Sequence, residues 1–218
     1  MVFSAADSHI HAEVVCGRRF ALEMCRRIEG ALKRMLRLDV GFAPAHLKPI
    51  ETQGHLAKAF DYILRQDRRH GVTSLDPFRE ASNLPDLLGM RTTGQYTASN
   101  VKSFLPRLQR EQLLAHYGLE QLVPREEPRH LLVPSAAAAI GRLDLAGRSR
   151  DCLAARRAVL GILGGRMRWK DAASLLGVCR RTIHRLRQRP LDDVLVKAIQ
   201  LQLCLRSHLG EQEEAFVT

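Results

Sequence analysis

The spacing of apolar positions changes along the chain. From His9 to Val15 apolar and polar residues alternate, with Ile10, Ala12 and Val14 on one face and His9, His11 and Glu13 on the other. Successive side chains of a strand point to opposite sides, so this stretch predicts a strand. From Arg18 to Leu38 the period lengthens. Phe20, Met24, Ile28, Leu32 and Met35 recur at helical spacing, and Arg19, Arg26, Arg27, Lys33 and Arg34 lie outside that stripe. FAPAHLKPIE, residues 42–51, has extended character broken by Pro44 and Pro49, and reads as an irregular edge strand. GHLAKAFDYILRQDRRHG, residues 54–71, returns to helical spacing and closes on Gly71. The order strand, helix, strand, helix predicts a small α/β layer.

Residues 73–135 carry a weaker pattern. LPDLLGM and FLPRLQREQLLAHYGL read as short helices, and Pro124, Pro128 and Pro134 punctuate a charged stretch that reads as a linker. SAAAAIG reads as the opening of a further helix. Beyond about Arg148 the pattern is helical throughout. DCLAARRAVLGIL is one helix ended by Gly164-Gly165, and WKDAASLLGVCRRTIHRLRQRP follows with a stop at Pro190. LDDVLVKAIQLQLCLRSHL is a last helix with a wide apolar face, before an acidic, frayed tail. The expected organisation is an α+β chain: an α/β unit over residues 1–72, a connector over 73–135, and an all-α unit over 136–218.

Composition narrows the partner. The chain has 218 residues, a formal net charge of +11 and a pI near 10.1. Such a surplus favours a polyanion, because Lys and Arg contacts with phosphates release counterions. A basic helix lying on a membrane is the rival, but no segment joins a basic face to exposed Trp or Phe. Five cysteines, an odd number with no C-x-x-C pair, argue against a disulfide framework or structural zinc and for a reducing compartment. The first residues lack the pattern of a signal peptide, and no apolar run is long enough to span a bilayer. A cytoplasmic protein is expected.

The chemistry concentrates on two faces. His9 and His11, two apart on a strand, present their rings to one side, and imidazole is a common ligand of divalent metals. At about 100° per residue, His55, Lys58, Gln66 and Arg69 fall within about 40° of Tyr62. Leu56, Phe60, Ile63 and Leu64 fall on the opposite side. The same pattern also describes an ordinary amphipathic helix with a tyrosine on its solvated face. If this helix face meets the histidine face, Gln66 offers a neutral oxygen as a third metal ligand. Open positions would then remain for a phosphate oxygen and water. Tyr62 could attack phosphorus in line, while Lys58 and Arg69 neutralise substrate charge.

His9-Ile10-His11, with Tyr62 and Gln66 four residues apart and downstream, resembles the HUH endonucleases. The pattern is most similar to the single-tyrosine REP-associated tyrosine transposases. The likeness covers roughly residues 5–72. It implies a ferredoxin-like sheet layer and cleavage and rejoining of single-stranded or hairpin DNA through a 5′-phosphotyrosine. It also implies a divalent metal, Mg or Mn, and a homodimer. His9, His11 and Gln66 would be the metal ligands and Tyr62 the nucleophile. The family has further elements ahead of the His-x-His strand, whereas eight residues precede His9 here, so a domain shortened at its start is expected.

KDAASLLGVCRRTIHRL places Ala173, Gly177 and Ile183 at i, i+4 and i+10. A small residue lets two helices approach, glycine permits the turn, and the apolar residue packs the second helix on the first. Leu175, Leu176, Val178 and Leu186 complete the expected core, with Trp169 capping it. Arg180, Arg181, His184, Arg185 and Gln188 face outward, and Arg and Gln suit base edges and phosphates of a duplex. The segment resembles the helix-turn-helix of resolvase-like and sigma-like DNA-binding domains. Two functions follow. One is a metal-dependent tyrosine DNA strand transferase with a helix-turn-helix tail. The other is an inactive DNA-binding regulator that keeps the first unit as a scaffold.

Overall fold

A computed structural model describes residues 2–5, 9–64, 82–92, 95–105, 109, 111, 113–114 and 129–217. The chain divides into two compact units, Met1–Thr73 and Ser74–Thr218. It is α+β in class, mostly helical, with a small two-stranded antiparallel sheet in the first unit.

In the first unit β1 (Val2–Ala5) pairs with β2 (Ile10–Glu13), with Val2 opposite Glu13 and Ser4 opposite His11. Opposed residues of an antiparallel pair share a face, so Val2, Ser4, His11 and Glu13 line one side. Val2 and Ser4 are buried there. VFSA is too short to show a period, and the pattern gave no expectation of β1. Two helices follow, α1 (Arg18–Leu36) and α2 (Gln53–Leu64). Thr52 opens α2 by accepting a hydrogen bond from the His55 backbone N–H at 3.1 Å, which satisfies one of the donors a helix start leaves over. Helix α2 packs on both strands and buries Phe60 and Ile63.

Two expectations fail here. The edge strand over 42–51 does not form, and the segment carries no regular structure. Pro44 and Pro49 each remove a ladder donor, and the side chains around them lie mostly in solvent. The α1 stripe is only partly covered. Ala21 is buried, and Met24, Ile28 and Leu32 are half-buried, but Phe20 and Met35 are 66% and 78% exposed. Helical periodicity states which residues share a face, not that another element covers it.

The second unit contains α3 (Leu84–Leu87), α4 (Gln95–Phe104), α5 (Arg129–Ala139), α6 (Arg150–Leu163), α7 (Trp169–Leu175), α8 (Arg180–Arg187) and α9 (Asp193–Val217). Its core gathers Leu132, Ala136, Val159, Leu160, Ile183, Ile199 and Leu203. Helix α5 packs against α6 and α9. Ala136, Ala139, Ala155, Ala158 and Ala198 are almost fully buried, and their small side chains let these backbones approach closely. SAAAAIG therefore ends a helix instead of opening one. Gly141, at φ 64, terminates it while the Arg142 N–H reaches back to the Ala137 carbonyl at 2.9 Å. Pro134 lies inside α5, not in a linker, and its side chain is exposed. Pro124 and Pro128 lie outside the described residues.

Residues 82–92, within the stretch read as a connector, are built into this unit. Leu84, Leu88 and Met90 are buried. Arg91 holds Asp86 through two hydrogen bonds of 2.8 and 2.9 Å. Thr92 donates its N–H to the Ala139 carbonyl at 2.9 Å, and Gln202 donates to the Met90 carbonyl at 3.2 Å. These bonds satisfy polar groups that burial would otherwise leave unpaired. The tail also departs from expectation, since α9 continues to Val217.

Candidate functional site

In the first unit the histidine face and the tyrosine helix meet. The rings of His9 and His11 lie 4.6 Å apart in an edge arrangement, and those of His11 and Tyr62 lie 5.2 Å apart at 85°. The strand period puts both imidazoles on one side, and the packing of α2 across that side brings the phenol to them. Phe60 and Ile63 point into the contact between helix and sheet, so they set the rotation of α2. Tyr62 then falls at the margin, 42% exposed, where its ring touches His11 while remaining reachable from solvent. His55 is half-buried and Lys58 exposed on the same helix. Gln66, Arg69 and the closing Gly71 lie outside the described residues.

Glu13 is a residue to which the sequence pattern assigned no role. It shares the face of His11 and is half-buried, with no hydrogen-bond partner for its Oε1 among the described residues. Loss of hydration raises its pKa from 4.5 to about 7. The signal was present in the alternation His9, His11, Glu13, but an acidic residue at such a position ordinarily points to solvent.

The two imidazoles are close enough together to be considered as joint ligands of a divalent metal. They would supply two ligands and Gln66 a third. No group of three or more His, Cys, Asp or Glu side chains is close enough to hold a metal ion among the described residues. Any complete ligand set would therefore need an amide or a group beyond them.

The second unit presents a different surface. In the turn between α7 and α8, Gly177 has φ 59, a left-handed conformation that glycine adopts without a Cβ penalty. Ala172 is buried at the crossing and Ala173 half-buried, while Ile183 and Leu186 are buried from α8. Arg180, Arg181, His184, Arg185 and Gln188 are all exposed, as is Arg187. Trp169 does not cap the core. It is 37% exposed, and the Arg180 guanidinium carbon lies 4.4 Å from its ring centroid. Cys179 is exposed in the turn, and a side-chain hydrogen bond with Thr182 at 3.3 Å lowers its thiol pKa. The five cysteines form no disulfide. Among the described residues no helix is long and apolar enough to cross a membrane.

No protein-family profile, curated protein or solved structure matches the chain.

Proposed function

We propose that the chain is a metal-dependent DNA strand transferase of the HUH type. Its first unit would carry a ferredoxin-like layer and its second would dock duplex DNA. The observation that carries the reading is the convergence of His9, His11 and Tyr62, three ring side chains from two elements far apart in sequence. A phenol beside an imidazole pair puts a nucleophile next to two groups able to ligate an activating metal. The phenol oxygen of Tyr62 bonds to phosphorus and the bond from phosphorus to the 3′ oxygen breaks. The 3′ side leaves as a hydroxyl, taking up a proton in place of the one the phenol loses. The 5′ side stays attached as phosphotyrosine, and rejoining reverses these steps. His9, His11 and Gln66 would hold Mg or Mn, which when bound supplies positive charge to the phosphate. Lys58 and Arg69 would add charge to the substrate contact, and the burial of Phe60 and Ile63 would orient Tyr62 for reaction. The substrate would be single-stranded or hairpin DNA, handled in the cytoplasm by a homodimer.

Incubation with single-stranded DNA and manganese followed by denaturing electrophoresis tests this. A protein–DNA adduct is expected, and Tyr62→Phe should abolish it while leaving DNA binding within about twofold, since only one hydroxyl is removed. An adduct that persists in that variant would remove Tyr62 from the role.

The second reading is a DNA-binding regulator with an inactive first unit. It is favoured by the sheet having two strands among the described residues, with its outer residue Ile10 46% exposed. Duplex binding with no adduct under any divalent cation would select it.

A further inference from the structure

The outward residues of α8 are not equivalent. Ile183 and Leu186 are buried and define its inward direction. At about 100° per residue, Arg181, His184, Arg185 and Gln188 project roughly away from them, whereas Arg180 lies on a flank, about 60° from Ile183. On that flank the exposed indole of Trp169, the first residue of α7, meets it. The Arg180 guanidinium carbon stands 4.4 Å from the ring centroid, and the Lys170 ammonium stands 5.7 Å from it. Two cations are thus gathered around one aromatic ring.

A guanidinium over an aromatic face is attracted to it and keeps its charge. Its N–H donors lie in its plane, so stacking leaves the planar fork available to an oxyanion. The contact also restricts a long side chain that would otherwise lose rotamer freedom on binding. Base edges are read by residues on the outward face of a recognition helix, and flanking cations hold the backbone.

We infer that Trp169 is a positioning residue for DNA docking, its indole holding Arg180, with Lys170 beside it, as a clamp for one backbone phosphate of a duplex. Base reading then falls to Arg181, His184, Arg185 and Gln188. This rests on the reading of the second unit as a DNA-binding helix-turn-helix.

The test is fluorescence anisotropy of the full chain with a labelled mixed-sequence duplex across a potassium chloride series. Selection from a random duplex pool gives the base preference of each variant. Trp169→Leu keeps apolar bulk without an aromatic face, and Arg180→Ala removes an exposed side chain that the core does not need. Each should weaken binding about three- to tenfold and lower the slope of log affinity against log salt by about one. The double variant should lose little more than either single one. Trp169→Phe should bind close to wild type. Selected sequences should stay the same in Trp169→Leu and change in Arg185→Ala. Wild-type binding with an unaltered affinity and slope in Trp169→Leu would overturn the clamp and leave the DNA reading standing, and so would a shifted base preference in that variant. A wild-type chain that binds no duplex at low salt would overturn both.

Discussion

Glu13 shows how one residue's surroundings set a measurable property. Its carboxyl sits half-buried on the sheet face shared with His11 and covered by the tyrosine helix, and burial raises its pKa from 4.5 to about 7. A carboxyl with a raised folded-state pKa binds its proton more tightly in the folded protein than in the unfolded one. Its burial is therefore tolerated below about pH 4.5, and stability is lost as pH rises to about 7. The full shift corresponds to about 3 kcal/mol, but partial exposure screens it, so the expected penalty is on the order of 1 kcal/mol. Glu13→Gln should flatten this decline in denaturant melts of the first unit, run with a chelator present. Parallel profiles for the two proteins would show that the carboxyl is fully hydrated. The alternation of His9, His11 and Glu13 made the shared face legible. Which way that face turned was not, because a strand's period is the same whichever side is covered.

The turn between α7 and α8 gives the corresponding test at the level of elements. Gly177 adopts φ 59, and a Cβ built there would meet nothing within 4 Å. Substitution by alanine thus strains the backbone without a clash, and should cost about 1 kcal/mol, with asparagine costing less. Ile183→Ala removes a buried anchor between the same helices and should cost about 2–5 kcal/mol. Thermal melts of the second unit would rank the three variants. An alanine at 177 as costly as one at 183 would contradict the open space around the turn. The turn was legible because glycine's conformational freedom acts within a few residues. Other elements were not. Pro134 reads as a break yet lies within α5, since tertiary packing of Leu132, Ala136 and Ala139 outweighs one missing helical hydrogen bond. The stripe on α1 reads as core yet leaves Phe20 and Met35 in solvent.

Across the whole molecule, apolar burial is uneven. The large core cluster runs from Leu132 to Leu203, entirely within the second unit. The described part of the first unit buries Val2, Ala21, Phe60 and Ile63. Since hydrophobic stabilisation scales with the area removed from water, the first unit should unfold at the lower temperature. Trp169 is the chain's single tryptophan, so its fluorescence follows the second unit alone while circular dichroism follows both. Dichroism should begin to fall before tryptophan emission shifts, and coincident transitions would show that the units are coupled. The sequence by itself determined the strand at residues 10–13, the helices α1, α2 and α6 to α9, the glycine turn and the surplus of positive charge. These are properties of local spacing and composition, readable within one or two turns of chain. Only the tertiary structure decided that Tyr62 meets His11, that Trp169 stacks on Arg180, and that residues 82–92 belong to the helical core. Each of these depends on how one face rotates against another, and that rotation is set by the packing of residues distant in the chain.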